Sequence, residues 1–348
     1  MKRLVQGNEA IFLGAVKAGA RFFAGYPITP SSEILVLAAE RSARDPSFKF
    51  VQSEDEIAAG NAIIGASLAG AKAFTATSGP GFSLMQEAVG YAHMAEVPVV
   101  YVDVQRVGPG TGMPTMPAQQ DIMQTKYGCS GDYHPLVFYP NSVEECFRYA
   151  VKAFNAAEES LSPVILLSDA FLGHLNEVID LDSIEVEIVP RSRPPVGTGT
   201  RWFSGLTHDD EGRPRTADAK AFIKWHSRVK ARSEEVAVRY RDFEFKANPS
   251  SDTLIVSFGI VSRVVAPLAS QFALFRPICI FPMLGRELRE CARGYDRIVV
   301  VEGNDGQYAS LVERELKREV LSIPLLGGRI NLGLVKRGLR EKLEREVP

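Results

Sequence analysis

Apolar residues along this chain follow two alternating rhythms. Short, nearly unbroken runs such as "RFFAGYPI", "FKFVQS", "AKAFTAT", "VPVVYVDVQ" and "SPVILLSD" read as buried strands. Between them lie longer stretches with helical character: "SSEILVLAAERSA", the small-residue-rich "EDEIAAGNAIIGASLAG", "FSLMQEAVGYAHMA" and "SVEECFRYAVKAFNAAEES". This alternation predicts an α/β fold, a parallel sheet with helices on both faces. Ligands in such folds sit where strands end and helices begin, so the chemistry is to be sought at those junctions.

The rhythm fails between Pro190 and Asn248. "PRSRPPVGTGTRWFSGLTHDDEGRPRTADAK" is dense in Pro, Gly and charge and reads as a connecting excursion, followed by a helical "AFIKWHSRVKARSEEVAVRYRDFEF". A second α/β series then begins, with strand "DTLIVSFGI", helix "VSRVVAPLASQFALF", strands "RPICIFPML" and "DRIVVVEGN", and helix "GQYASLVERELKREV". The expected organisation is an α/β domain over 1–189, a connecting segment over 190–248 and a smaller α/β domain over 249–348. A chain of 348 residues is long enough for two cores.

Composition narrows the function classes. A net charge of -2, with 45% hydrophobic and 24% charged residues, is that of an ordinary globular protein and offers no electrostatic footprint for nucleic acid or an anionic membrane. No apolar run approaches the roughly 20 residues a membrane span needs. The opening "MKRLVQGNEAIFLGAVKAGA" places Lys2 and Arg3 ahead of apolar residues, but Glu9 interrupts the run and Gln6-Gly7-Asn8 punctuates it. It reads as a helix of the folded domain, not a signal peptide. Cys129, Cys146, Cys279 and Cys291 are scattered without a CxxC pair, as expected of isolated thiols in a reducing cytoplasm. Neither they nor the five histidines have metal-ligand spacing, so no metal is assigned to this chain.

Four junctions stand out. In "YPITPSSEI", Thr29 fits an N-cap with Pro30 at the first helical position and Glu33 in the first turn. Pro27 adds a second rigid ring, which suits a pre-organised site better than a plain strand end. In "VQSEDEIAAG", Ser53 and Glu56 have capping-box spacing, yet Glu54, Asp55 and Glu56 also crowd one turn before an apolar helix. A carboxyl turned inward there would hold its proton more tightly and could exchange it with a ligand, so cap and catalyst both stay open. "TATSGPGFSLMQE" is neither a Walker loop nor GxGxxG and reads first as a tight turn. In "DVQRVGPGTGMPTMPAQQD", Arg106 ends a strand ahead of a Gly- and Pro-rich loop, a placement suited to bidentate capture of a carboxylate.

Taken together, "GNEAIFLGAVKAGARFFAGYPITPSSEI", "VQSEDEIAAGNAIIGAS", "TATSGPGFSLMQEAVGYA", "VDVQRVGPGTGMPTMPAQQD" and "GDYH" resemble the alpha subunit of 2-oxoacid:ferredoxin oxidoreductases, most closely the 2-oxoglutarate branch. The resemblance runs from Gly7 to about Asp180 and resumes in "GLTHDDEG", "LIVSFG" and "VVVEGNDGQ". It implies a pyrimidine-binding-type domain of a thiamine-diphosphate enzyme followed by a transketolase-C-like domain. It further implies a cytoplasmic α2β2 enzyme whose beta subunit carries the diphosphate–Mg²⁺ site and the [4Fe–4S] cysteines. The implied reaction converts 2-oxoglutarate and CoA to succinyl-CoA and CO₂ while reducing ferredoxin. On this resemblance Glu56 matches the glutamate that contacts N1′ of the cofactor's aminopyrimidine. Thr29 matches a hydroxyl beside the reactive carbon, and Arg106 the arginine that pairs with the 2-oxoacid carboxylate. The chain has no GDG…N diphosphate motif, and Gly131-Asp132-Tyr133 does not supply one. It departs from the family pattern at Ala170, where an acid is expected, and at Asp305. Branched-chain 2-oxoacid or pyruvate alpha subunits share the mechanism and remain alternatives. So, on the residues alone, does a noncatalytic α/β module that binds a nucleotide or a protein partner.

Overall fold

The computed structural model describes residues 2–199 and 202–343. Its larger sheet has eight strands. Seven of them run in the order Cys279–Phe281, Leu136–Phe138, Val164–Asp169, Val100–Val107, Lys72–Thr77, Ala20–Gly25, Lys49–Gln52, and Met113–Pro117 pairs with Val100–Val107 off that path. All pairs are parallel except those made by Cys279–Phe281 and Met113–Pro117. The three central strands, Lys72–Thr77, Val100–Val107 and Val164–Asp169, are buried along their whole length, which is why their sequences read as continuous apolar runs rather than alternations.

Connections from this sheet diverge at one place. From strand Ala20–Gly25 the chain passes through helix Ser32–Arg44 to the edge strand Lys49–Gln52. From the adjacent Lys72–Thr77 it passes through helices Gly79–Leu84 and Gln86–Met94 to Val100–Val107 on the other side. The carboxyl ends of Ala20–Gly25 and Lys72–Thr77 therefore flank a topological switch point, the position at which open α/β sheets bind ligands. The Thr29 loop and the Gly79-Pro80-Gly81 turn both leave from it.

A second sheet of five strands runs Phe243–Lys246, Ala273–Pro277, Thr253–Val256, Arg297–Glu302, Leu321–Pro324, parallel except for Phe243–Lys246. Several boundaries differ from the sequence reading. The helix expected to run through "RDFEF" is Ala219–Val238, and Phe243–Lys246 is an edge strand, because Phe243 and Phe245 alternate with Glu244 and Lys246. Likewise "ALF" leaves the expected helix and becomes strand Ala273–Pro277. "CIF", expected in the second series, adds instead to the first sheet beside Leu136–Phe138. At the amino end, Arg3–Gln6 is a strand paired with Asn176–Ile179, and the helix starts at Gly7.

The connecting excursion is strapped to the first unit by charge. Glu96, almost fully buried, faces Arg193, Arg228, Arg232 and His208, all from the excursion and its helix. The His208 hydrogen bond and the Arg232, Arg228 and Arg193 charges hold the Glu96 carboxyl below the usual range despite its burial. A buried acid with several charge-assisted partners is satisfied rather than penalised.

Candidate active site

Glu56 is the first residue of helix Glu56–Leu68 and is only 6% exposed, whereas Glu54 and Asp55 point outward. The cap is Asp55, whose carboxylate accepts the Ala58 N–H at 2.7 Å; the expected Ser53–Glu56 box does not form the helix start. A short aspartate in extended backbone reaches the third helical N–H directly, so the glutamate is released to turn inward. It turns over Gly81. A methyl group built on Gly81 would lie 2.5 Å from Glu56 Oε1 and 2.1 Å from Thr77 Oγ1. Thr77 is buried at the end of its strand, and its hydroxyl has no hydrogen-bond partner among the described residues.

The Gly79-Pro80-Gly81 turn opens helix Gly79–Leu84. Its missing side chains make room for carboxylates on two sides, because a methyl on Gly79 would stand 3.2 Å from Asp121 Oδ2 and 3.3 Å from Oδ1. Asp121 acts on Asp103, a fully buried residue within strand Val100–Val107 whose carboxylate oxygens have no hydrogen-bond partner among the described residues. Burial pushes the Asp103 carboxyl well above the ordinary carboxylate range, and the neighbouring Asp121 adds to the shift. Burial also lifts Asp121 above that range, opposed by its interaction with Asp103 and by the Arg106 charge. Sequence reasoning missed both residues, although one signal was present: Asp103 is a lone acid inside the otherwise apolar "VVYVDV".

Arg106 is also only 6% exposed. Its Nη1 donates to the main-chain carbonyl of Thr29 at 2.7 Å, and its Nε is buried with no partner among the described residues. Burial lowers the guanidinium pKa, while the charges of Asp121 and Glu56 raise it. Thr29 is exposed and is not a cap: helix Ser32–Arg44 starts at Ser31, whose N–H and hydroxyl both donate to the Ile28 carbonyl at 3.0 Å. The Thr29–Pro30 peptide is cis. Asn8 Nδ2 anchors the same loop, donating to the Pro30 carbonyl at 2.8 Å and to Glu33 at 2.9 Å.

The expected loop after Arg106 folds back as a hairpin through Met113–Pro117. Beyond it opens a cleft of about 320 Å³ bordered by Arg106, Gly110, Asp121 and Gln124 from the first unit and Asp305 and Gln307 from the second. The second unit fixes this wall. Gln307 accepts from the Met123 N–H at 3.0 Å and donates to the Gln120 carbonyl at 2.7 Å, and Gln119 exchanges hydrogen bonds with Gly303 and Asn304. Ala170, the departure noted in the sequence, is buried next to Asp169, which caps helix Ala170–His174 and accepts the Tyr139 hydroxyl at 2.8 Å. Burial raises Asp169 to about 6.

Glu56, Thr29 and Arg106 thus lie at neighbouring strand ends around one switch point, Arg106 bonded to the Thr29 loop and within the electrostatic reach of Glu56. The architecture is that of the thiamine-diphosphate class of α/β proteins. A split-gene transketolase, described as an inactive beta4 tetramer, shares it at a TM-score of 0.59 and 14% identity over 98% of both chains, a likeness of fold alone. Residues 13–243 match the family described as pyruvate flavodoxin/ferredoxin oxidoreductase, thiamine diP-bdg, and the chain belongs to that family. It is 40% identical to the 2-oxoglutarate synthase subunit KorA of Methanothermobacter marburgensis over 362 aligned residues, covering 94% of this chain and 95% of that one. It is 35% identical to the ketoisovalerate oxidoreductase subunit VorB of the same organism, covering 97% of each. A 2-oxoglutarate:ferredoxin oxidoreductase from Magnetococcus marinus, solved with 2-oxoglutarate, coenzyme A and succinyl-CoA bound, aligns at a TM-score of 0.91 and 28% identity. That alignment covers 98% of this chain and 65% of that one. The cofactor the family implies fits the residues present, since Glu56 turns inward against the bare Gly81 backbone and the buried Thr77 hydroxyl beside it has no partner among the described residues.

Proposed function

We propose that this chain is the alpha subunit of a 2-oxoglutarate:ferredoxin oxidoreductase of the 2-oxoglutarate synthase type, working in the cytoplasm with a beta subunit as α2β2. One observation carries the reading: an inward Glu56 packed against Gly81 and an Arg106 tied to the Thr29 loop meet at the same switch point. On this reading residues 1–189 are the pyrimidine-binding-type domain, 190–248 the connecting segment and 249–348 the transketolase-C-like domain. Mg²⁺ and the [4Fe–4S] centres belong to the beta subunit. Four free thiols in this chain agree with a reducing compartment.

Thiamine diphosphate, held beside Glu56 and Thr77, would supply the carbon nucleophile and electron sink that decarboxylation of a 2-oxoacid requires. Glu56 holds a proton against the cofactor's pyrimidine nitrogen, and its burial keeps water from competing for that proton. Arg106, which borders the cleft with Nη1 committed to Thr29, offers its remaining N–H groups to the substrate carboxylate. Thr29, exposed beside it, borders the reacting carbon.

A partner surface is supported around the same junction. Tyr26, Val51 and Ile57 are 41%, 40% and 50% exposed at the ends of neighbouring strands and the start of helix Glu56–Leu68. Along that helix the exposed Ala58, Asn61 and Gly65 are small, and nothing lies within 4 Å of a methyl built on Gly65. Such a face admits close approach by another helix. The test is co-expression with the beta partner, followed by CoA-dependent viologen reduction over a panel of 2-oxoacids. A brown complex with highest kcat/KM on 2-oxoglutarate is expected. A colourless chain stabilised by nucleotide alone would overturn the reading.

A further inference from the structure

We propose that Asp103 and Asp121 share one proton as a buried carboxyl pair, and that this pair is a positioning device that keeps Arg106 open to the carboxylate of the 2-oxoacid. The inference rests on the reading of Arg106 as the substrate's carboxylate partner.

The geometry comes first. Asp103 has no exposed surface and lies between Thr77 and Leu167 in the sheet register. Neither of its carboxylate oxygens, nor Oδ2 of Asp121, has a donor among the described residues. The two carboxyls act directly on each other, and buried oxygens that lack a donor are satisfied here only by a proton held between them. Asp121 is fixed for this contact from the strand that carries Asp103. Its N–H donates to Gln105 Oε1 at 3.0 Å, and Gln105 Nε2 donates to the Ser168 carbonyl at 3.2 Å. The bare Gly79 backbone closes the other side of the Asp121 carboxylate.

The charged and titratable groups around the pair are few. Arg106 faces Asp121, Glu56 acts on Arg106, Asp305 borders the same cleft from the second unit, and on the Asp103 side stands Tyr139, itself bonded to Asp169. With one proton the pair carries a single negative charge, which balances Arg106 and leaves the pocket able to accept an anionic substrate. Loss of that proton adds a second negative charge beside the same guanidinium and opposes the substrate carboxylate. The pair titrates as a unit, so its proton loss at alkaline pH raises KM for the 2-oxoacid with little effect on kcat.

The test uses the assembled complex. Asp103→Asn keeps a donor to Asp121 and holds the pair at one negative charge through the alkaline range. In wild type the 2-oxoacid KM should climb toward about tenfold per pH unit once the shared proton is lost. In Asp103→Asn that climb should vanish while kcat stays near wild type. An infrared difference spectrum, wild type minus Asp103→Asn at neutral pH, should show a protonated-carboxyl C=O stretch that fades over the pH range in which KM rises. Asp121→Asn should remove the same band and is the second variant if Asp103→Asn fails to assemble. Absence of the band, or an alkaline KM limb equal in variant and wild type, overturns the proposal. A band that persists while Arg106→Lys leaves KM untouched overturns the assignment of Arg106 instead.

Discussion

Arg106 and Thr29 stand 77 residues apart in sequence and are joined by one hydrogen bond of 2.7 Å, from the guanidinium Nη1 to the main-chain carbonyl. The bond fixes Nη1 of the planar fork and leaves Nε without a partner among the described residues, in a side chain that borders the cleft. Arg106→Lys keeps the charge but cannot serve Thr29 and a carboxylate in the same geometry. Loss of a charge-assisted bond of about 1.5–3 kcal/mol corresponds to a 2-oxoacid KM raised by about 10- to 100-fold, with a smaller change in kcat. Steady-state kinetics on the complex check it, and an unchanged KM would remove Arg106 from the substrate site.

Because the helix is capped by Asp55 and not by Glu56, the two acids separate cleanly by mutation. Glu56→Gln should leave assembly and melting temperature near wild type and lower oxidative turnover by about 10²- to 10⁴-fold, since the amide has no proton of the required acidity. Asp55→Ala should do the reverse, costing about 1 kcal/mol of stability with turnover largely kept. Melting curves and viologen reduction on both variants decide it.

Gly81→Ala tests the seat of Glu56 without replacing a polar side chain. The added methyl overlaps Thr77 Oγ1 and Glu56 Oε1, and Glu56 is the more movable of the two. The expected result is turnover lowered as severely as in Glu56→Gln, together with weakened retention of thiamine diphosphate on gel filtration. Wild-type retention would show that the cofactor does not lie there.

Gly65→Leu tests the partner face. With nothing within 4 Å of a Cβ built on Gly65, the helix should gain up to about 1 kcal/mol, because glycine is a poor helix former. Co-purification with the beta subunit should nonetheless be lost. A variant that assembles normally would move the interface elsewhere.

His93 predicts an acid-side loss of stability. It is buried, with Nδ1 2.7 Å from the Ser162 hydroxyl, and desolvation, joined by the charges of His134 and Arg232, holds its pKa near 3 rather than 6.5. Between those values the unfolded chain binds the extra proton. The stabilisation is therefore complete above about pH 6.5 and is lost as pH falls toward 3. Asp169 and Glu302, raised to about 6 and about 7, contribute with the opposite sign, so the comparison must be between variants. The melting temperature of His93→Gln should fall less steeply on acidification than that of wild type.

The three residues singled out from sequence differ in how much of their setting was legible. For Glu56, the crowding of Glu54, Asp55 and Glu56 ahead of an apolar helix already required one acid to be treated differently from the others. Which one turned inward depended on Asp55 taking the cap. Thr29 matched a cap by every local rule, but the helix begins two residues later, because Ser31 satisfies the Ile28 carbonyl and Asn8, from another helix, holds Pro30. Arg106 was placed by its position at a strand end, yet its partner in the Thr29 loop comes from a neighbouring strand's connection and leaves no trace in local spacing.

Period and punctuation in the chain determined that strands and helices alternate, where the alternation breaks, and that the informative residues fall at strand ends. These are consequences of local sterics and of burial along single segments. Tertiary structure alone decided which strand ends are neighbours, and therefore that Asp103 meets Asp121, that Gly81 sits under Glu56, and that Cys279–Phe281 joins the first sheet rather than the second. Contacts of that kind are set by strand order and by the packing of segments far apart in the chain, and no periodicity within a single segment encodes them.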